Sequence, residues 1–381
     1  MPRTVRSARA FVSTSIAAAG VALVTTLGAQ QGSTIRSDET VAFFPAFAVE
    51  GTSSWTAHVH GWIFEDEKGA VRDELAREFG DQVRQRFGLT TQAIEGDAAD
   101  AVRRFGERMA PFLVDNERNK QLAVTAAGVI ALMGKSEKNG HFAGTLSLPA
   151  AAGRGGEWVG VRAVVRPGDA RVFDGKVQLV PRSGFTVVSD IDDTIKHSQV
   201  TDKIQLGLNT FVRDFRATEG MAALYQRWAQ SGQAVFHYVS GSPYQLYGFL
   251  ADFAKDAGFP AGSYHLRKFR VKDRSIVEFF GDPETFKLET IAPILEQFRD
   301  RRFVLVGDSG ERDPEVYTKL AMRFANVDAI FIRDVTNETL DTPRYRALFA
   351  DVPARVQRRV FKDTRELDDV KLPPVTRPAE P

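Results

Sequence analysis

The sequence predicts an α/β protein: a parallel sheet flanked by helices, preceded by a β-rich domain that carries a helical insertion. Two observations predict the rear half. Short apolar runs at FTVVSD, AVFHYVSGS, RRFVLVGDSG and VDAIFIRD alternate with segments of helical periodicity, the pattern of parallel βαβ units with helices on both faces. Several runs also end in Asp or Ser, and ligands of open parallel sheets gather beyond the carboxyl ends of the strands. A third observation predicts the front half. Residues 40–66 and 121–180 are rich in aromatic and β-branched residues and are broken by NGHFAGT, GRGG and RPGD, which are strand and turn signals.

In chain order, residues 1–30 resemble a secretory signal peptide. Arg3, Arg6 and Arg9 precede an uncharged stretch from Phe11 to Leu27, with small residues at Gly28 and Ala29. The expected location is therefore extracytoplasmic, periplasmic or secreted, with an N-terminal membrane anchor as the alternative. VAFFPAFAVEG and SWTAHVHGWIF read as strands. His58 and His60 share one strand face there, and with no third ligand nearby a polar face is expected rather than a metal site. VRDELAREFGDQVRQRFG and DAADAVRRFGERMAPFL have helical spacing and form the insertion. Phe142, Leu146, Leu148, Trp158, Val159 and Val161 supply core material, which gives a sandwich-like or barrel-like domain over residues 38–180. In the rear domain, residues 181–345, TEGMAALYQRWAQSG is a helix stopped by Gly232, and Pro243 suits the first turn of the next helix. His237, inside a strand, is expected in the core. Residues 350–381, rich in charge and proline, read as a flexible tail.

Composition excludes several kinds of chemistry. The 381 residues contain 43% apolar residues and 50 basic against 49 acidic groups, a net charge of +1. That balance gives no nucleic-acid footprint. With no cysteine at all, disulfides, thiolate metal sites, a cysteine nucleophile and cysteine lipidation are excluded.

The strongest local signal is VVSDIDDTIKHS. Asp190 and Asp192 straddle a strand end, with Asp193 and Thr194 next. Carboxylates this crowded need a cation or basic neighbours, and a compact set of oxygen ligands suits Mg²⁺. Asp308 and Asp313 follow a second apolar strand, so neighbouring parallel strands would bring Asp308 near Asp190. Ser240 ends another strand and Lys287 opens a helix. Metal, lysine, hydroxyl and separate aspartates form a kit for phosphoryl transfer. A calcium loop is excluded because Ile195 and Thr201 stand where its Gly and Glu belong. Ser309 in GDSG lacks the partners of a serine nucleophile. His197 is expected to line the substrate at the edge of the acid cluster.

These residues resemble the haloacid-dehalogenase phosphatase superfamily. DIDDTIKHS, YVSGSPYQL and GDSGERDPEVY are similar, more closely, to the phosphatidate phosphatases first associated with yeast actin patches. The resemblance covers residues 180–335, and HGWIF, FLVDNERN and NGHF extend it toward bacterial relatives. It implies a Rossmann-like sheet and a set of roles. Asp190 would be the nucleophile, and Asp192 the acid and base. The carboxylates of Asp190 and Asp308, with the Asp192 backbone carbonyl, would hold Mg²⁺. Ser240 and Lys287 would grip phosphoryl oxygens, Asp313 would support the metal shell or orient Lys287, and Thr194 would brace the loop. The implied activity is Mg²⁺-dependent hydrolysis of phosphatidate to diacylglycerol and phosphate. A phosphatase for a soluble phosphomonoester and a non-catalytic envelope lipid-binding protein are the rivals. The expected partner is a phospholipid or another phosphorylated small molecule, with peripheral membrane contact and no specific protein partner. Phe211, Val212, Phe215, Phe269, Val271, Ile276, Phe279 and Phe280, set among Lys and Arg, would form either an apolar lipid-facing surface or a packed lid.

Overall fold

The computed structural model describes residues 33–67, 69–89, 98–232, 234–269 and 283–370. The expected leader, the stretch with Val271, Ile276, Phe279 and Phe280, and the last eleven residues of the expected tail lie outside them. Among the described residues no helix is long and apolar enough to cross a membrane.

The front domain is a nine-stranded sheet: β1 (Glu39–Phe44), β2 (Ala46–Glu50), β3 (Ser54–Asp66), β4 (Val114–Asn116), β5 (Ala123–Ala126), β6 (Val129–Leu132), β7 (His141–Pro149), β8 (Trp158–Val164) and β9 (Asp174–Val180). The long β3 pairs with β1, β2, β4 and β7. Its alternating burial reflects the two-residue period of a strand. Trp55, Val124, Phe142, Val161 and Leu179, from five different strands, share one core, so the sheet curls around it. Between β3 and β4 the chain leaves as two helices, α1 (Gly69–Phe87) and α2 (Ala98–Met109), the insertion expected from the helical spacing. Gly88, at φ 64°, supplies the left-handed residue that ends α1.

The rear domain is a six-stranded, wholly parallel sheet of β10 (Gly184–Ser189), β11 (Val235–Pro243), β12 (Gly262–Arg267), β13 (Arg301–Asp308), β14 (Val327–Arg333) and β15 (Gln357–Phe361). Its spatial order is β12-β11-β10-β13-β14-β15. The order reverses direction between β10 and β13, the switch point at which doubly wound sheets bind ligands. One face is covered by α3 (Lys203–Phe211), α4 (Met221–Gly232) and α5 (Tyr247–Asp256). The other is covered by α6 (Pro283–Gln297), α7 (Asp313–Arg323) and α8 (Pro343–Leu348). Sandwiching explains why β10 and β13 read as near-continuous apolar runs.

One expectation changes. Gln357–Phe361, placed by sequence in a flexible tail, pairs in parallel with β14 as the edge strand. Thr364–Leu367 adds a capped turn that buries Leu367. The arginines at 358 and 359 suit an edge, where charge discourages further strand pairing.

The domains are joined tightly. Arg301, 1% exposed at the start of β13, donates to the backbone carbonyls of Pro181, Ser183 and Phe185 and to the Thr186 hydroxyl. It thereby fixes the linker between the sheets. His58 and His60 do share a face, but the face meets the rear domain rather than solvent. His60 lies 3.0 Å from His141 and edge-on to Tyr244. Burial pushes the His60 pKa down to about 3. His237 is fully buried as expected, bonded to Ser263.

Candidate active site

Asp190 and Asp308 meet because β10 and β13 are neighbours in register, with Ser189 opposite Val306 and the Asp190 N–H donating to the Val306 carbonyl at 2.9 Å. The two aspartates therefore leave adjacent strand ends at the switch point. Lys287, in the first turns of α6, is 1% exposed. Its Nζ reaches Asp190 Oδ1 at 2.9 Å, Glu311 Oε2 at 2.8 Å and also Asp313 Oδ1. Asp313 opens α7 and its other oxygen accepts the Asp308 N–H at 3.2 Å. That approach requires Gly307, where a Cβ would come within 2.2 Å of the Asp313 carboxylate. Asp308 Oδ1 accepts the N–H groups of Gly310 and Glu311 at 2.7 and 3.1 Å.

The acids of Asp190, Asp308, Glu311 and Asp313 lie within 4.8 Å of one another. Burial, with the mutual repulsion of these acids, pushes Asp190 and Asp308 well above the usual carboxylate range, and Asp313 up to about 6, against the pull of Lys287. The buried atoms Asp190 Oδ2 and Asp308 Oδ2 have no hydrogen-bond partner. Four clustered carboxylates, three of them bonded to one ammonium and two with unsatisfied buried oxygens, fit a hard divalent cation.

Asp192 sits in a different environment. Its Oδ1 receives Lys196 Nζ at 2.8 Å and Ser198 Oγ at 2.7 Å. Its Oδ2 receives Ser240 Oγ at 3.0 Å and Ser242 Oγ at 3.2 Å. Burial alone would raise its pKa, but Lys196 and the hydroxyls outweigh burial and hold it at about 2. Lys196 reaches it because the chain turns sharply at Asp193 (φ 53°), which places Lys196 in a bridge beside Asp192.

The structure thus gathers Asp190, Asp192, Ser240, Lys287, Asp308 and Asp313. Thr194 is fully buried, but its hydroxyl has no partner. The loop is braced instead by the Asp193 carboxylate, which accepts the N–H groups of Ser198, Gln199 and Val200 at 2.7–2.9 Å. His197 is exposed and does not line the cavity that opens on Asp192. Ser240 Oγ is committed to Asp192 and to the Ser242 N–H. Ser309 is buried and ties the end of β14 through Val335 and Thr336. Lys268 pairs with Glu137 of the front domain. Phe211, Val212 and Phe269 are buried, so this part of the chain is packed rather than a free apolar surface.

Sequence reasoning missed Lys196, Ser198 and Glu311. Their signals were present: Lys196 stands four residues after Asp192, and Glu311 three after Asp308. A cavity of about 310 Å³ opens beside Asp192, with Ser242, Glu311, Arg267 and Arg312 on its polar side.

Fold and site together define an α/β domain with a doubly wound parallel sheet and a buried cluster of acids at its switch point. Residues 185–334 form a segment that matches the family model described as phosphatidate phosphatase APP1, catalytic domain. It is similar to the phosphatidate phosphatase APP1 of Saccharomyces cerevisiae, 36% identical over 166 residues, which are 42% of this chain and 28% of the yeast protein. An uncharacterized protein of Schizosaccharomyces pombe is 30% identical over 173 residues, 44% of this chain. The chain covers 28% of the length of each of these curated relatives.

Proposed function

We propose that the protein is a Mg²⁺-dependent phosphatidate phosphatase that acts outside the cytoplasm through an aspartyl-phosphate intermediate. The observation that carries the reading is the pairing of Asp190 and Asp308 at the sheet's switch point, with Lys287 bonded to Asp190. The match of residues 185–334 to a phosphatidate phosphatase catalytic domain supports the substrate. The arginine-led apolar leader supports the location.

Asp190 and Asp308 would hold Mg²⁺ through the oxygens that lack partners, with Glu311 and Asp313 beside them. When bound, the ion supplies charge neutralisation and polarises a phosphoryl oxygen. A carboxylate oxygen of Asp190 attacks phosphorus, forming the Asp190–phosphate bond as the bond to the leaving alkoxide breaks. Lys287 offers its ammonium to the charge on the phosphoryl oxygens. Asp192 is ionised in the free protein, the state needed to take a proton from the water that hydrolyses the aspartyl-phosphate. Protonation for the first half-reaction accompanies substrate binding, because a phosphate dianion placed beside Asp192 raises its proton affinity. That proton then passes to the leaving oxygen.

The test is phosphate release by the full chain from phosphatidate in detergent micelles, glycerol 3-phosphate and p-nitrophenyl phosphate, with Mg²⁺ and with EDTA. Phosphatidate is expected to have the highest kcat/KM, and EDTA to abolish release. Equal or better turnover of the soluble esters overturns the lipid substrate, and release that survives complete chelation overturns the metal. Binding of phosphatidate without release of phosphate would make the protein a lipid-binding one.

A further inference from the structure

The cavity beside Asp192 is not built by the rear domain alone. Phe87, the last residue of α1 in the front domain's insertion, lines it together with Val200, Leu206, Phe211 and Leu246. The wall is held firmly. The Phe87 ring lies 5.9 Å from that of Phe211, which also meets Phe105 and Phe112 of the front domain at 6.2 and 6.4 Å. A Cβ at Gly207 of α3 would sit 2.4 Å from the Phe87 Cβ, so α3 approaches α1 closely only because that residue is glycine. Arg108 of α2 donates to the carbonyls of Thr210 and Arg213 at 3.0 and 2.7 Å, and Arg104 pairs with Asp214 at 2.8 Å. The insertion is thereby clamped to the helix that carries Leu206 and Phe211.

We propose that Phe87 is a specificity-determining residue, closing an apolar wall against which the alcohol part of the phosphate ester packs while its phosphoryl group faces Asp190 and Asp192. The inference rests on the phosphatidate phosphatase reading above and adds the residue and the domain that select the leaving group. Asp192, which would protonate the leaving oxygen, shares the cavity with this wall, so the carbons attached to that oxygen come to lie on the apolar side. A sugar or nucleoside leaving group would set hydroxyls or ring nitrogens against Phe87, Leu206 and Phe211, where polar groups lose their water without gaining partners. A volume of about 310 Å³ lies at the small end for small-molecule pockets, so it takes the phosphoglycerol head while the acyl chains extend outside. The segment that matches the catalytic family therefore has an incomplete pocket without the front domain.

The test compares wild type, Phe87→Ala, Phe87→Leu and Leu206→Gln in the full chain. The substrates are dioctanoyl phosphatidate and glycerol 3-phosphate, which share the phosphoglycerol head. Phe87→Ala is expected to lower the ratio of their kcat/KM values about tenfold, chiefly through KM for the lipid, the scale of a lost apolar contact. Phe87→Leu should restore most of that ratio. Leu206→Gln, at a half-buried position, should lower it without depending on the packing of Phe87. Ratios unchanged in folded variants, or equal losses on both substrates, overturn the proposal. Binding of the two ligands in an Asp190→Asn background reads the wall without chemistry. If wild type hydrolyses neither substrate yet Phe87→Ala abolishes preferential binding of the lipid, the catalytic reading fails and the wall stands. If turnover is intact and the preference does not move, the wall fails.

Discussion

Asp190 and Asp192 are two residues apart, yet they occupy opposite halves of the site. On the β13 side, Asp190 clusters with three other acids, shares one lysine with two of them and keeps an oxygen without a hydrogen bond. On the β11 side, Asp192 is met by a lysine and three serine hydroxyls. Burial is common to both, so the neighbours decide the outcome: the first carboxylate is pushed up and the second held at about 2. The raised carboxylate is the proposed nucleophile, which acts as an anion, so its role requires the positive charge that a cation bound at the cluster would supply. The difference also separates what each half lacks: the first is short of positive charge, and the second is already neutralised.

The largest expected effect breaks the comparison at its centre. Asp190→Asn should lower the rate of phosphate release by about a thousandfold or more, with no fall in Tm, because Lys287 retains Glu311 and Asp313 as partners. A folded variant with an unchanged rate would place the nucleophile elsewhere. Removing the lysines separates the halves next. Lys287→Met leaves the acid cluster uncompensated and should cost about 3–5 kcal/mol in chemical denaturation with EDTA, part of which Mg²⁺ restores. Lys196→Met should also destabilise, but without rescue by Mg²⁺. Rescue of both, or of neither, would contradict the division.

The same division predicts a pH dependence. Asp313, raised to about 6, binds protons more tightly in the folded state than in the unfolded one. Protons therefore compete with the cation for the folded cluster. The rise in Tm produced by excess MgCl₂ should be largest above about pH 7 and shrink as pH falls through 6. A rise independent of pH would mean that the ion binds elsewhere. For Asp192 the sign is reversed: its depressed pKa contributes stability above pH 4 that is lost as pH falls toward 2. The stability gap between wild type and Lys196→Met should narrow over that window. The smallest effects concern the loop between the halves. Asp193→Gly keeps the left-handed backbone but removes an acceptor of three N–H groups, so a loss of about 1–3 kcal/mol is expected by denaturant titration. Thr194→Val, which removes a hydroxyl without a partner, should change stability by less than about 0.5 kcal/mol.

The sequence made the rear sheet legible because its strands are buried on both faces and so read as continuous apolar runs, each ending in a polar residue. The meeting of Asp190 with Asp308 followed from the rule that neighbouring strand ends converge. What it hid was produced by the backbone. Lys196 is a catalytic-side partner only because the chain reverses at Asp193, and a lysine on a turn is otherwise a solvated residue. Thr194 looked like the brace because its side chain can bond, whereas the carboxylate beside it does so. The edge strand Gln357–Phe361 carries too much charge to resemble its buried neighbours. Phe87 lies 105 residues before Asp192 in the chain, and no local periodicity indicates that the C-terminal end of an inserted helix reaches another domain's cavity.

The account stands most directly on the covalent step at Asp190. The full chain, quenched in acid during turnover of ³²P-labelled phosphatidate with Mg²⁺, should retain label on the peptide that contains Asp190, and Asp190→Asn should retain none. Label on another residue, or continued phosphate release with no labelled protein, would contradict it.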